Sequence, residues 1–302
     1  MSEVLQSDKY FYIDTHAHLD MLKGITAEFA VSESLRENVR YIINVGSSIS
    51  GSRKSSEYSR QFENVYASAG IHPHYVRNFE DKYIDTLENL IRENEKIVAV
   101  GETGFDYFRN LSPKVDQQKA FTKHIELAQK YKLPLIVHDR DAHGDIFEVL
   151  KYYYRGIKNS DKPDTGPSAK SGYSTGISNA VIGRSASFGG SERKKVVIHC
   201  FSGDTGFALK CIEEGFYISF TGVITYPNAK LLQQTVKEVP LERIFIETDS
   251  PFLAPQEKRG SENYPGYVIY IAKKISEIKN ISLTEVARIT SENALGFFNI
   301  SF

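Results

Sequence analysis

The sequence predicts a (β/α)₈ barrel, formed by residues 1–302 as a single domain. Length is the first reason, because such barrels often exceed about 250 residues without dividing into two domains. The second is that short β-branched and aromatic runs alternate with longer amphipathic segments, as in repeated βα units. The third is the number of those runs, about eight, which a closed barrel requires. An apolar content of 41% allows a large core.

The predicted strands are short apolar runs bounded by polar or glycine-containing segments. Because each is followed by a longer amphipathic segment, the strands are expected to be parallel. In chain order, they cover residues 11–13, 41–45, 66–69, 97–100, 135–137, 196–198, 217–220 and 244–246.

Three intervening segments show clear helical periodicity. Residues 81–94 and 115–132 place apolar side chains on one face at helical spacing. Residues 282–298 begin with a capping-box pattern, in which Ser282 is followed by Glu285, and form the predicted last helix.

One stretch, from about residue 157 to residue 193, interrupts this alternation. It is rich in serine and glycine and has few large apolar residues, which favours a mobile insertion over a domain. It connects a predicted helix to a strand. Its place is therefore the N-terminal face of the barrel, remote from the usual active site. The alternative is a loop that docks a partner or regulates the protein.

The composition excludes some classes of protein. With 37 basic and 38 acidic residues, a broad basic surface that coats duplex DNA is not expected. This balance does not exclude a nuclease. Two cysteines provide no disulfide framework. The N-terminal apolar run is too short for a signal peptide, and no stretch approaches the length of a membrane span. We therefore predict a cytoplasmic protein with no membrane association.

Six candidate metal ligands follow predicted strands, at the C-terminal ends where barrel enzymes place their chemistry. Imidazole and carboxylate groups suit Zn, Mn or Mg. Six of them can hold two divalent cations if one carboxylate bridges. The candidates are His16, His18, Glu102, His138, His199 and Asp249.

Each candidate has a structural alternative. The alternative for His16 and His18 is two unrelated histidines, but one residue separates them, so on a regular strand both imidazoles face the same side. Glu102 can instead form a salt bridge at a strand end, and Asp249 can cap a helix. His138 and His199 end apolar runs, where a single histidine is more often a hydrogen-bonded core residue.

A second histidine pair, His72 and His74, follows the third predicted strand. Substrate contact is the favoured interpretation, and a third metal site is the alternative. Aromatic residues near the predicted rim are candidates for stacking on an unpaired base, with core packing as the alternative. They are Tyr75, Phe105, Tyr107 and Tyr226.

Taken together, these motifs resemble the TatD family of metal-dependent deoxyribonucleases in the amidohydrolase superfamily. The resemblance runs from Tyr12 to about Phe298 and is carried by IDTHAHLD, AGIHPH, VGETGFDY, PLIVHDRDA, VIHCFSG and ETDSPFLAP. It implies that Glu102 is shared by two metals and that His138 and His199 bind the second. It also implies that Asp249 binds metal and handles the attacking water, and that His72 lies near the substrate phosphate.

The resemblance further implies hydrolysis of DNA from a 3′ end, with Asp249 and Glu102 as catalytic residues. DNA ends are thus the expected partner, with RNA and tRNA left open and protein partners not predicted. A D-aminoacyl-tRNA deacylase or another ester or amide hydrolase is the alternative. Glu102 stands where many amidases carry a carboxylated lysine, which disfavours an amidase. A noncatalytic binding protein is disfavoured by the complete ligand set.

Overall fold

The computed structural model describes residues 10–154 and 195–301. Eight parallel strands form one sheet in the order of the sequence, and helices alternate with them. The predicted (β/α)₈ barrel is confirmed. The predicted insertion at 157–193 lies outside the described residues.

The strands line the barrel and the helices surround it. The strands are β1 Tyr12–Ala17, β2 Val39–Asn44, β3 Val65–Ala69, β4 Ile97–Asp106, β5 Leu135–Arg140, β6 Val196–Ile198, β7 Tyr217–Phe220 and β8 Ile244–Ile246. The α-helices in the described residues are α1 Ala27–Arg36, α2 Ile49–Gln61, α3 Lys82–Glu93, α4 Lys114–Tyr131, α5 His143–Tyr154, α6 Thr205–Glu213, α7 Lys230–Glu238, α8 Val268–Lys279 and α9 Leu283–Phe298. Within these ranges, every helix is too short or too polar to cross a bilayer.

Three predicted strands end too early. β1 continues to Ala17, β4 to Asp106 and β5 to Arg140. The predictions stopped where the apolar runs stop, whereas the ladder between β4 and β5 continues through polar residues, with Gly104 opposite His138. Glu102 and His138 therefore lie within strands and do not follow them. His16 likewise lies inside β1.

The barrel closes where β8 meets β1. The described contacts at this seam include a single bridge, between Ala17 and Ser250. The buried Asp14 carboxylate adds to it by accepting hydrogen bonds from the backbone N–H and the hydroxyl of Thr248. These contacts bring the end of β1 and the segment after β8 together at one rim.

The N-terminal end of the barrel is filled by apolar side chains. Phe297 of α9 packs edge-on against Tyr217 and Phe245, whose rings are stacked with centroids 4.8 Å apart. Ser282 caps the start of this helix by accepting a hydrogen bond from the N–H of Glu285 (3.1 Å), as the capping-box pattern predicts. With this end closed by packing, polar chemistry is confined to the C-terminal end.

Candidate metal centre

Glu102 lies at the centre of the site, on β4 and almost fully buried. Glycines on either side of it let β4 approach β5 closely. A Cβ at Gly101 would lie 2.5 Å from the carbonyl oxygen of Ile136, and one at Gly104 would lie 2.0 Å from that of His138. Both glycines have positive φ, at +134° and +143°, which other residues rarely adopt. Glycine is therefore required here to place the carboxylate.

One oxygen of this carboxylate belongs to a first set of four donor atoms. Glu102 Oε2 lies 3.6 Å from His16 Nε2 and 3.7 Å from His18 Nε2. The two histidine nitrogens are 3.2 Å apart. Asp249 Oδ1 completes the set, 3.8 Å from His16 Nε2 and 3.5 Å from His18 Nε2. The donors therefore converge from β1, β4 and the segment after β8.

Backbone hydrogen bonds at the seam hold Asp249 in this set. The N–H of Asp249 donates to the carbonyl of His16 (2.8 Å), and the N–H of His18 donates to that of Ser250 (2.8 Å). Asp249 itself has a left-handed backbone with φ of 53°, which turns the chain after β8. The predicted alternative of a helix cap does not hold, because a turn at Pro251 and bends at Phe252 and Leu253, rather than an α-helix, follow Asp249.

A second set of donor atoms surrounds the other oxygen of Glu102. Glu102 Oε1 lies 2.7 Å from His199 Nε2, 2.9 Å from His138 Nδ1 and 3.5 Å from His72 Nε2. His138 Nδ1 lies 3.4 Å from His199 Nε2 and 3.2 Å from His72 Nε2. The two carboxylate oxygens of Glu102 thus face different groups of histidines.

Each of these histidines has one ring nitrogen that faces the site and an outer nitrogen that faces another group. The group beside the outer nitrogen determines whether the inner nitrogen presents a lone pair or a proton. His18 Nδ1 lies 2.9 Å from the carbonyl oxygen of Val45, which can only accept, so this nitrogen carries a proton and Nε2 is the nitrogen that can present a lone pair to a cation. His138 Nε2 faces the Asp106 carboxylate at 3.3 Å, which leaves the lone pair on Nδ1. Histidines that bind metals typically have such an acceptor on the outer nitrogen.

His199 also has a carboxylate near its outer ring nitrogen, at ion-pair distance but without a hydrogen bond, from a residue that the sequence reasoning missed. Its Nδ1 lies 3.5 Å from Oε1 of the buried Glu247, while its Nε2 faces Glu102. Glu247 directly follows β8 and also accepts a hydrogen bond from the N–H of Cys200 (2.7 Å). An acidic residue immediately after an apolar strand was the signal that could have identified it.

His72 has the opposite arrangement. Its Nδ1 accepts a hydrogen bond from the backbone N–H of His74 (3.0 Å), so a neutral ring carries its proton on Nε2, the nitrogen that faces the site. His72 therefore presents a donor, although its nitrogen lies as close to Glu102 and His138 as a ligand would. This chemistry separates it from the other site histidines.

Asp106 is the second residue that the sequence reasoning missed. It is almost fully buried at the end of β4, and its Oδ2 lies 2.6 Å from His74 Nε2 as well as 3.3 Å from His138 Nε2. Its other oxygen accepts a hydrogen bond from the N–H of Arg109 (2.7 Å). The GETGFD motif contained it, but the strand was predicted to end before it. Asp106 connects the pair His72 and His74 to the donor set of His138.

The electrostatics of the site favour bound cations. Burial acts to raise the pKa of Glu102, but the surrounding imidazoles, His199 first, hold it well below its ordinary value. Burial acts to lower the pKa of His18, yet the Asp249 and Glu102 carboxylates outweigh it and raise that pKa to about 9. The buried, ionised carboxylates are thus stabilised by positive charge nearby, which protons or metal ions can supply.

Donor chemistry and spacing both fit a metal ion. Ligands placed 2.0–2.2 Å from a tetrahedral zinc lie about 3.3–3.6 Å from one another. The five measured separations in the first set run from 3.2 to 3.8 Å. All six predicted metal ligands fall in the two sets. His72 lies in the second set as a hydrogen-bond donor and not as a metal ligand.

The predicted rim aromatics differ in exposure. Phe105 is fully buried, so of its two interpretations core packing holds and stacking does not. The hydroxyl group of Tyr107 donates a hydrogen bond to Asp145, and that of Tyr226 donates one to the carbonyl of Ala254. Tyr75 is 61% exposed.

Comparison with known proteins identifies the family of this chain. The family described as TatD related DNase matches residues 13–299. The metal-dependent hydrolase YabD of Bacillus subtilis is 34% identical over 289 residues, covering 95% of this chain and 99% of YabD. The metal-dependent hydrolase YcfH of Escherichia coli K12 is 33% identical and covers 96% of each chain.

Solved structures with low sequence identity share the fold. The TatD homologue YjjV of Escherichia coli K12 has a TM-score of 0.78 at 23% identity, covering 96% of this chain and 98% of its own. A TatD family hydrolase of Entamoeba histolytica has a TM-score of 0.74 at 23% identity, with 95% and 98% covered. With the family match extending over nearly the whole chain, the protein belongs to the TatD family of metal-dependent hydrolases.

Proposed function

We propose that the protein hydrolyses phosphodiester bonds of DNA from a 3′ end, using two divalent cations. The observation that carries this proposal is that the two carboxylate oxygens of Glu102 face separate sets of donor atoms. A carboxylate in this position is suited to bridge two cations. The family relationship supports DNA as the substrate.

The first cation would be held by His16, His18 and Asp249, the second by His138 and His199, and both by Glu102. Histidine-rich sets favour Zn, while the carboxylates also suit Mn and Mg. When bound, such a pair lowers the pKa of water and neutralises charge that develops on phosphoryl oxygens. Side chains of the protein itself would accept the proton of the attacking water and donate hydrogen bonds to the phosphate.

Asp249 is the proposed general base. Its side chain is 15% exposed, compared with 4% for Glu102, so water reaches Asp249 more readily. One carboxylate oxygen, Oδ1, faces the histidine pair of β1. The other oxygen is then available to accept the proton of the attacking water as its oxygen bonds to phosphorus.

His72 is the proposed donor to a nonbridging phosphoryl oxygen. Burial holds its pKa well below the ordinary value, so the ring is neutral and donates through Nε2–H. A fixed donor of this kind stabilises charge as it builds on the phosphoryl group. His74 holds the tautomer of His72 through its backbone N–H. The side chain of His74 is hydrogen-bonded to Asp106 through Nε2, which leaves its Nδ1 for contact with the substrate.

The test compares two substrates on the same metal-reconstituted enzyme. Single-stranded DNA labelled at its 3′ end is incubated beside a D-aminoacyl-tRNA, with Mg, Mn or Zn added to chelator-treated protein. We expect release of the labelled 3′ nucleotide first, and no deacylation. Cleavage of the aminoacyl ester alone would replace the proposed function with tRNA deacylation.

A matched pair of variants controls for loss of fold. Asp249→Asn removes the proposed base, whereas Asp85→Asn makes the same chemical change on the exposed surface of α3. Only the former should lose nuclease activity. A second DNA labelled at its 5′ end reports polarity, and early release of that label would contradict digestion from the 3′ end.

A further inference from the structure

Two exposed aromatic rings lie beside the metal centre. Phe252 is 50% exposed, and its ring centroid lies 6.4 Å from that of His18 in the first donor set. Tyr75 is 61% exposed, and its centroid lies 6.3 Å from that of His72, beside the second set. The rings therefore border different halves of the site.

The backbone of each ring is held by a residue of the site. The N–H of Phe252 donates to the carbonyl of Asp249 (2.9 Å), and the N–H of Tyr75 donates to that of His72 (2.9 Å). Asn263 fixes the segment after β8 further, by donating to the carbonyls of Phe252 and Thr248. The backbone that carries each ring is thus held relative to the reacting groups, while at least half of each residue is exposed.

The chemistry of a phenylalanine ring restricts the ligand. It has no hydrogen-bonding group, so what it offers is an apolar surface and a π face. A phosphodiester in DNA carries a nucleoside on each side, and one sugar separates each base from the phosphate. Nucleobases are flat, and they stack on aromatic side chains irrespective of their sequence.

We propose that Phe252 and Tyr75 stack on the two bases that flank the scissile phosphodiester. This inference rests on the proposed function, because it takes a phosphodiester at the metal centre as given. Both rings would need bases freed from their paired partners, so the pair would select unpaired ends. It would also hold the sugar-phosphate backbone in register with Asp249 and His72.

The experiment separates base contacts from chemistry by removing the bases. Single-stranded oligonucleotides carry either ordinary nucleotides or abasic tetrahydrofuran analogues on both sides of the terminal scissile bond. Stacking contributes about 5- to 160-fold per base. Phe252→Ala and Tyr75→Ala should each lower kcat/KM on ordinary DNA by a factor in this range. Neither variant should lower it further on the abasic substrate.

Controls separate stacking from a loss of folding. Phe29→Ala removes a ring of similar exposure (49%) from α1 and should leave both substrates unaffected. Phe252→Trp keeps an aromatic face and should preserve activity on ordinary DNA, whereas Phe252→Leu keeps apolar volume without that face and should not. Metal content and melting temperature are measured for every variant.

Each outcome decides the inference. An equal loss on ordinary and abasic DNA, or no loss on either, would overturn stacking while the wild-type nuclease activity still supported the proposed function. Failure of the wild type to cleave any oligonucleotide would instead refute the proposed function itself. Full activity of Phe252→Leu on ordinary DNA would show that apolar volume suffices and would also overturn the inference.

Discussion

His124 should make the stability of the protein depend on acidity. This residue lies on α4 and is fully buried. Its Nδ1–H donates to the carbonyl of Ala120 (2.7 Å), and its Nε2 accepts from the N–H of Ile71 (3.0 Å). Protonation would place a second hydrogen against the Ile71 N–H and leave a buried charge without a counterion in this pair of contacts.

The structure sets both the sign and the size of the effect. Burial lowers the pKa of His124 from 6.5 to about 4, so the folded state releases a proton that the unfolded chain binds between these values. The stabilising contribution is therefore complete above pH 6.5 and is lost as the pH falls towards 4. The full difference corresponds to about 3 kcal/mol, of which about 2 kcal/mol falls between pH 7 and pH 5.

Urea unfolding of the chelator-treated protein at pH 7, 6 and 5 measures this contribution. His124→Gln is expected to be less stable at pH 7, because one amide cannot replace both hydrogen bonds, but its stability should fall less with acid than that of the wild type. The difference between the two slopes isolates His124 from other titrating groups. Equal acid losses in both proteins would refute the reasoning.

His143→Gln provides a control of opposite sign. Pairing with Asp139 (2.8 Å) raises the pKa of His143, so its contribution is present at low pH and is lost as the pH rises through that raised pKa. Replacing it should therefore leave the acid-dependent loss at least as steep as in the wild type. A flatter profile for His143→Gln would point to a general effect of removing any histidine.

Three further variants test the roles proposed at the metal centre. Asp249→Asn should lower kcat by at least about 100-fold, as expected for loss of a general base, with an unchanged circular dichroism spectrum; retained activity would contradict that role. His72→Ala should lower kcat/KM by about 100- to 1,000-fold, as for a lost oxyanion donor, without changing the metal content measured by elemental analysis. Loss of a metal equivalent would identify His72 as a ligand instead. Glu102→Gln should weaken the binding of both cations, so that titration with Mn detects fewer tight sites per chain. An unchanged stoichiometry would argue against a shared carboxylate.

The sequence was sufficient for the barrel and for the six converging donors because both follow from local patterns. Apolar runs of strand length separated by amphipathic segments specify βα repeats. Parallel strands in a barrel all end at the same face. Polar residues near the ends of different runs, such as His16, Glu102 and Asp249, are then brought together without any knowledge of loop geometry.

The extent of β4 and its partners could not be obtained in this way. Residues 101–106 continue the strand because β5 provides hydrogen bonds opposite them, and glycines permit the close approach. This depends on a neighbour that is distant in sequence. The same error concealed Asp106, which was placed in a loop and given no role. Phe252 was missed because its exposure depends on the turn after β8.

The distinction between ligand and donor histidines is the part of the site most dependent on three-dimensional contacts. His18 and His72 are chemically identical side chains at the same rim, yet a backbone carbonyl faces the outer nitrogen of one and a backbone N–H faces that of the other. The first contact leaves a lone pair in the site and the second leaves a proton. The hydrogen bonds continue from His72 Nε2 to His138 Nδ1 at 3.2 Å, and from His138 to Asp106. If a cation takes the lone pair of His138, the proton of His72 loses its acceptor and becomes available to a phosphoryl oxygen. In this arrangement, metal binding would therefore also prepare the substrate donor.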